Sequence, residues 1–371
     1  MHFSVEKAIL VGIDIPAFQN IPLEESMAEL TRLADTAGAE VVGQLTQNRP
    51  KPDQRYFIGS GKLEELKQLV ELKAANLIIF DSEISASQER NLEEQLGVKV
   101  INRTELILDI FAQHAKSREG KLQVALAQNS FLLTRLSGYG VLMSRLGGGI
   151  GTRGPGETKL EYDRRHLRQK ISESKREIEK IRQERFLRRE KRRASQLPLI
   201  SLVGYTNAGK STLLNYLTGA DAHTEDKLFA TLDTTTRRLD LSPQKTVLLT
   251  DTVGFIQKLP HHLIAAFRAT LEEVSEAELL LHVVDLSHPC YEDQITAVYN
   301  VLEELNSITR PIITVFNKID KVAHLQTKKI LEKYKPAVAI SAISGEGTGK
   351  LIKAIFKFLF PPPGQPSSNP A

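Results

Sequence analysis

Residues 197–217 read LPLISLVGYTNAGKSTLLNYL. An apolar run from Leu199 to Val203 leads into Gly204-x-x-x-x-Gly209-Lys210-Ser211, and a helix-forming stretch follows directly. Strand, glycine-rich loop and helix in that order form a P-loop in the context its chemistry requires. The glycines let backbone N–H groups approach phosphate oxygens without a Cβ in the way, and the helix N-terminus adds positive potential. Candidate phosphate contacts are therefore Gly204, Tyr205, Thr206, Asn207, Ala208, Gly209, Lys210, Ser211 and Thr212. Lys210 supplies a charge between the β- and γ-phosphates, and the Ser211 hydroxyl is a magnesium ligand.

Further along the chain the loop acquires partners. Asn317-Lys318-Ile319-Asp320 follows the apolar run PIITVF, where a base-reading loop belongs. Asp320 offers two carboxylate oxygens to the ring N–H and exocyclic amine of guanine. Adenine has no such donor pair and would leave a buried carboxylate unpaired. Asn317 braces the loop, the Lys318 stem packs on the base, and Ser341-Ala342-Ile343 after PAVAI can place a backbone N–H on the guanine oxygen. Asp251-Thr252-Val253-Gly254 ends the run KTVLLT. Asp251 would hold magnesium and the Gly254 N–H would meet the γ-phosphate. Between these motifs lies FATLDTTTRRLD, in which Thr234, Thr235 and Thr236 are all candidates for the threonine that closes over the metal. A contact made only when the γ-phosphate is present converts hydrolysis into a change of shape. The expected ligands are GTP or GDP with Mg2+.

Composition limits the alternatives. The chain has 371 residues, which suits two or three domains, with 41% hydrophobic and 25% charged residues. Its single cysteine, Cys290, excludes a disulfide framework. No run reaches the length of a membrane span and the N-terminus lacks a signal pattern, so a cytoplasmic protein without membrane insertion is expected. Net charge is +4, yet residues 159–193 alone hold fifteen Lys or Arg against seven Asp or Glu. A basic segment on a nearly neutral body suits a polyanion such as nucleic acid, or is simply a solvated helix face.

Before the P-loop, residues 1–102 alternate apolar runs (AILVGI, AEVVGQL, NLIIFD, VKVIN) with helical stretches at 22–37, 61–74 and 85–96. That pattern predicts a small α/β domain with a parallel sheet. Residues 103–195 change to a 3–4 spacing through Leu108, Phe111, Ala115, Leu122, Ala125, Leu132 and Leu136, resumed by Leu160, Leu167 and Ile171. This reads as an antiparallel helical hairpin with a long mobile tip, LSGYGVLMSRLGGGIGTRGPGETK, too glycine-rich and irregular for a helix. Residues 196–360 form the nucleotide domain with a mainly parallel sheet, and the Pro/Ser-rich tail at 361–371 is expected to be disordered. In RYFIGSGK, Gly59-Ser60-Gly61 is explained more simply by a turn into a helix with Ser60 near the N-cap than by a second nucleotide site. His261 and His262 read as surface or packing residues.

The whole chain resembles the HflX family of ribosome-associated GTPases. The resemblance rests on RYFIGSGK, LILDIFAQHAKSREGKLQVALAQ and GGGIGTRGPGETKLEYDRR beside the nucleotide motifs, and spans roughly residues 5–360. The family pattern LFATLDxTxRR singles out Thr235 as the switch threonine and magnesium ligand, so the residues expected to carry catalysis are Lys210, Thr235 and Gly254. The resemblance further implies a cytoplasmic protein that binds the 50S ribosomal subunit and its RNA and separates ribosomal subunits under stress; a monomer is expected. It makes the tip loop, through Arg153 and Lys159, an RNA-reaching element, where the residues alone allow a flexible connector. An alternative of another class is a regulatory RNA- or protein-binding module timed by GTP but not acting on ribosomes. Phe255 stands where many GTPases carry a water-orienting glutamine, which predicts slow intrinsic hydrolysis. Asn207 occupies the loop position where related potassium-using GTPases carry asparagine, so K+ is a candidate second cation.

Overall fold

The computed structural model describes residues 5–15, 21–146, 155–193, 197–219, 227–258 and 273–361. They form two compact units, one of residues 1–113 with 121–177 and the other of residues 114–120 with 178–371.

The first unit is built on strands β1 (Lys7–Asp14), β2 (Glu40–Asn48), β3 (Leu77–Phe80) and β4 (Lys99–Asn102), all parallel in the order β2-β1-β3-β4. Helices α1 (Leu23–Ala37), α2 (Ser60–Lys73) and α3 (Ala86–Leu96) connect them. β1 lies inside the sheet, and Ala8 to Ile13 are buried without alternation, as a parallel strand covered on both faces requires. The α3 start is set by a capping box. Ser85 Oγ accepts from the Gln88 N–H at 3.3 Å, and Gln88 Oε1 accepts from the Ser85 N–H at 2.9 Å. At α2 the N-cap is Gly59, and Ser60 is the first helical residue rather than the cap. The core gathers Ile9, Val11, Ile58, Leu66, Ile78, Phe80 and Leu92.

Three helices follow: α4 (Arg103–His114), α5 (Arg118–Leu146) and α6 (Pro155–Arg193). Arg164 donates to the Leu136 carbonyl at 3.3 Å, and Arg185 pairs with Glu119. Helix α5 continues to Leu146 and α6 starts at Pro155, although the glycine-rich stretch 136–159 predicts irregular chain. On α5 the buried stripe is Val124, Ala127 and Phe131, not Leu122, Ala125 and Leu132, and Leu132 is 48% exposed. The chain breaks helix at 115–117, so a spacing extrapolated from α4 arrives on α5 in the wrong phase. Arg153, His261, His262 and 362–371 lie outside the described residues.

The second unit carries a six-stranded sheet from β5 (Leu199–Gly204), β6 (Thr235–Ser242), β7 (Lys245–Asp251), β8 (Leu279–Asp285), β9 (Ile312–Asn317) and β10 (Ala337–Ala339). The order is β10-β9-β8-β5-β7-β6, parallel except for the hairpin of β6 on β7. Helices α7 (Lys210–Thr218), α8 (Tyr291–Glu304), α9 (His324–Lys333) and α10 (Thr348–Leu359) complete it. One core holds Ile200, Leu202, Leu213, Leu249, Leu281, Val315 and Leu351; another holds Val203, Phe255, Leu280, Val298 and Leu302. Because neighbouring strands run in register, four of them end together at Gly204, Asp251, Asp285 and Asn317. β5 is where the chain reverses its direction across the sheet, so the crevice beyond these ends is the expected ligand position of an open α/β sheet.

Candidate nucleotide site

The residues after β5 wrap into an open cleft lined by Thr206, Asn207, Gly209, Lys210, Ser211, Thr212 and, from the segment before β6, Lys227, Phe229, Ala230 and Thr231. Thr252 and Gly254 line its other side. Gly209 has φ 91°, and a Cβ there would stand 2.3 Å from Asn317 Nδ2, so the loop closes on the base-reading side only with glycine at this position.

Lys210, the first residue of α7, is 6% exposed, and its ammonium donates to the Gly204 carbonyl at 3.2 Å and the Tyr205 carbonyl at 2.8 Å. Burial pulls its pKa down to about 8, opposed by the charge of Asp251. The Asp251 carboxyl is pushed above the ordinary range by burial, against the pull of Lys210 and of the Ser211 and Thr231 hydroxyls. Ser211 Oγ donates to Asp251 Oδ2 at 2.5 Å and lies 2.8 Å from Thr231 Oγ1. The other carboxylate oxygen, Asp251 Oδ1, is buried with no hydrogen-bond partner among the described residues. Two hydroxyls and a half-satisfied buried carboxylate are hard oxygen donors of the kind magnesium takes.

Thr231 stands at the cleft although the sequence motifs did not single it out. Thr235, singled out from the family pattern, lies at the start of β6 opposite Asp251 in the strand pairing, whereas the hydroxyl that meets Ser211 is that of Thr231. The string FATLD holds the residue, but its position depends on a turn at Phe229, which adopts φ 57° while its N–H donates to Thr206 Oγ1 at 2.9 Å.

On the base side, Asn317 bridges two loops: its Nδ2 donates to the Ala208 carbonyl and its Oδ1 accepts from the Ala342 N–H, each at 2.9 Å. Lys318, at φ 63°, donates to the Asn207 carbonyl at 2.9 Å and pairs with Asp285 at 2.7 Å. Asp285, the last residue of β8, was also missed; an acid closing an apolar strand is the signal that could have found it. Asp320 is exposed in a 3-10 turn, Ser341 and Ala342 are buried, and Ile343 is 74% exposed.

Phe255 follows Gly254 but points its chemistry elsewhere. Its side chain is 2% exposed in the core with Val203 and Leu280, and its backbone pairs with the P-loop: Thr206 N–H to Phe255 carbonyl at 2.7 Å, Phe255 N–H to Gly204 carbonyl at 3.1 Å. No side chain at this position reaches the cleft.

Under the P-loop, His282 on β8 is 1% exposed and edge-on to Tyr299, and its Nδ1 has no partner among the described residues. Burial, aided by the charge of Lys210, lowers its pKa to about 3. A base whose folded pKa lies below its unfolded one contributes stability above the unfolded value, about 6.5, and loses it as pH falls toward the folded value. Between pH 7 and 5.5 the wild type is expected to lose about 1 kcal/mol of unfolding free energy relative to His282→Phe. Urea melts at both pH values check this; an unchanged difference would contradict it.

Among the described residues no helix is long and apolar enough to cross a membrane. Three family models match: "GTP-binding GTPase N-terminal" at residues 24–112, "GTP-binding GTPase Middle Region" at 114–192 and "50S ribosome-binding GTPase" at 199–318. The chain is 52% identical over 355 residues to the GTPase HflX of Caldanaerobacter subterraneus, covering 96% of this chain and 81% of that protein. It is 44% identical over 352 residues to the GTPase HflX of Escherichia coli, covering 94% and 82%. Among solved structures, the GDP complex of the protein SsGBP aligns with 95% of this chain and 98% of its own, at 24% identity and a TM-score of 0.52, a likeness of fold. A P-loop that binds GTP or GDP, a sheet mainly parallel as expected, and relatives along nearly the whole length lead to one conclusion: this chain belongs to the HflX family of GTPases.

Proposed function

We propose that this GTPase uses its nucleotide state to set its affinity for the 50S ribosomal subunit, and that its GTP-bound form promotes separation of ribosomal subunits. The observation that carries the reading is the meeting of Thr231 with Ser211, whose hydroxyl donates to Asp251. A segment of chain between α7 and β6 reaches the phosphate end of the cleft, so its position depends on what the cleft holds. The ribosome as partner rests on the family, on the description of the model matching residues 199–318, and on the basic face of α6, where Lys159, Arg165 and Arg168 are exposed. A cytoplasmic location follows from that partner.

Magnesium would be held by Ser211 and Thr231 with Asp251 beside them, and Thr235 would act from the start of β6 in shaping the switch. When bound, the ion supplies positive charge to the β- and γ-phosphate oxygens. Lys210 stabilises charge on the same oxygens, and the N–H groups of Gly209–Thr212 and of Gly254 orient them. Asp320 selects guanine, with Asn317 and Lys318 locking its loop to the P-loop and Ser341, Ala342 and Ile343 closing the far side. With Phe255 packed in the core, no side chain there positions the attacking water, so intrinsic hydrolysis is slow. The missing group comes from a partner's cation or from K+ near Asn207; equal rates in potassium and sodium would remove the second.

Pelleting through sucrose with purified 50S subunits tests the partner. With a non-hydrolysable GTP analogue the protein is expected to pellet with 50S, less so with GDP, and in both cases less as salt rises. Protein left in the supernatant in both nucleotide states would favour the reading as a GTP-timed module for another RNA or protein.

A further inference from the structure

The segment that brings Thr231 to Ser211 makes a second contact two residues on. Asp233 Oδ2 accepts from the backbone N–H of Lys116 at 3.0 Å and of Ser117 at 2.8 Å, while the Ser117 hydroxyl donates to Asp233 Oδ1. Ser117 immediately precedes α5, and its Oγ accepts from the Gly120 N–H at 2.8 Å, the bond of an N-cap residue. The next residue but one, Glu119, pairs with Arg185 of α6. The capped first turn of α5 is thus held by the switch segment and by α6 together.

Taken alone, this is a helix cap with an extra carboxylate. Two details argue for more. The third residue of α5 is glycine, which costs about 1 kcal/mol against alanine in a helix. A Cβ at Gly120 would come within 2.5 Å of Asp233 Oδ1 and 3.2 Å of Ser117 Oγ, so the glycine is what lets the carboxylate in. In addition, two residues of chain span at most about 7 Å, so a displacement of Thr231 larger than a side-chain rotation carries Asp233 with it.

We propose that Asp233 is a positioning residue for GTP hydrolysis: by clasping the capped start of α5 it holds Thr231 beside Ser211, and it thereby couples the nucleotide state to the helix that runs on from residue 118. The proposal rests on the reading of Thr231 given above. The clasp and the Thr231 contact are present together in one structure, so they belong to the same state of the switch, the one a γ-phosphate favours. Coupling is reciprocal: whatever fixes the start of α5 raises affinity for GTP over GDP, and GTP orders the start of α5.

Titration of the full-length chain with fluorescent GDP and a fluorescent non-hydrolysable GTP analogue tests it. Asp233→Ala is expected to weaken the analogue about five-fold or more and GDP less than about two-fold, within the scatter of independent sites. Gly120→Ala is expected to shift the ratio the same way although alanine is the better helix former, and it decides the matter if Asp233→Ala does not fold. Ser117→Ala combined with Asp233→Ala is expected to cost less than the two separately, since both remove one contact. Amide exchange at Lys116, Ser117 and Gly120 should slow with the analogue relative to GDP in the wild type. Equal loss for both nucleotides, no loss, additivity, or exchange indifferent to the nucleotide would each overturn the proposal. Thr231→Ala separates the two readings. If its analogue-to-GDP ratio equals wild type, Thr231 has no role and the clasp cannot act through it. If it loses the ratio while Asp233→Ala keeps it, only the clasp fails.

Discussion

Replacing Lys210 by alanine is expected to lower kcat for GTP hydrolysis by about 10²–10³-fold, the effect of removing one charge-stabilising group from a preorganised site. The side chain is buried, its ammonium is oriented by two P-loop carbonyls, and Asp251 is the neighbouring charge. All the costs of placing that cation are met by the fold before the nucleotide arrives, so little is reorganised during the reaction. Arginine is not a conservative replacement, because a planar fork cannot sit where a compact ammonium meets two convergent carbonyls. Single-turnover hydrolysis by wild type, Lys210→Ala and Lys210→Arg checks this. A variant within about ten-fold of wild type would mean that the phosphate charge is handled elsewhere.

Arg103→Ala is expected to destabilise the first unit by about 3–5 kcal/mol, the usual cost of breaking a buried ion pair from one side. Arg103 begins α4 directly after β4 and is 2% exposed. One guanidinium nitrogen donates to Asp81 Oδ1 at 2.8 Å and another pairs with Glu29, while Asp81 Oδ2 accepts from Ser26 Oγ at 2.8 Å. Asp81 and Glu29 are 2% and 4% exposed. Alanine would leave two buried carboxylates without their shared cation. By contrast, replacing all three charged residues with leucine should be far milder, because no uncompensated charge remains. Denaturant unfolding followed by exchange of amides in β1 and β3 measures both. Equal losses in the single and triple variants would show that packing, not charge, dominates there.

Much of this molecule can be read from its sequence where the information is contiguous. Ala8–Ile13, Leu77–Phe80 and the alternating helices of residues 23–96 announce a parallel sheet because a doubly covered strand is apolar throughout. The P-loop is legible because strand, loop and helix follow within about twenty residues. Two kinds of information were not legible. Helix phase does not survive a break, so the stripe on α5 could not be extrapolated from α4 across residues 115–117. Contacts that depend on an unusual backbone turn carry no propensity signal. Phe229 and Lys318 adopt left-handed φ without being glycine, and on those turns depend the placement of Thr231 beside Ser211 and of Lys318 against Asp285. The tie between Asp233 and Ser117 joins positions 116 residues apart, which no local pattern connects.

The nucleotide in the cleft is proposed to govern what the protein does to a ribosome. Sedimentation of 70S ribosomes with the full-length chain in GDP, in GTP and in a non-hydrolysable GTP analogue tests it most directly. The analogue is expected to suffice to convert 70S to free subunits, with the protein travelling on 50S, and GDP is not. Intact 70S in every nucleotide, with the protein at the top of the gradient, would contradict it.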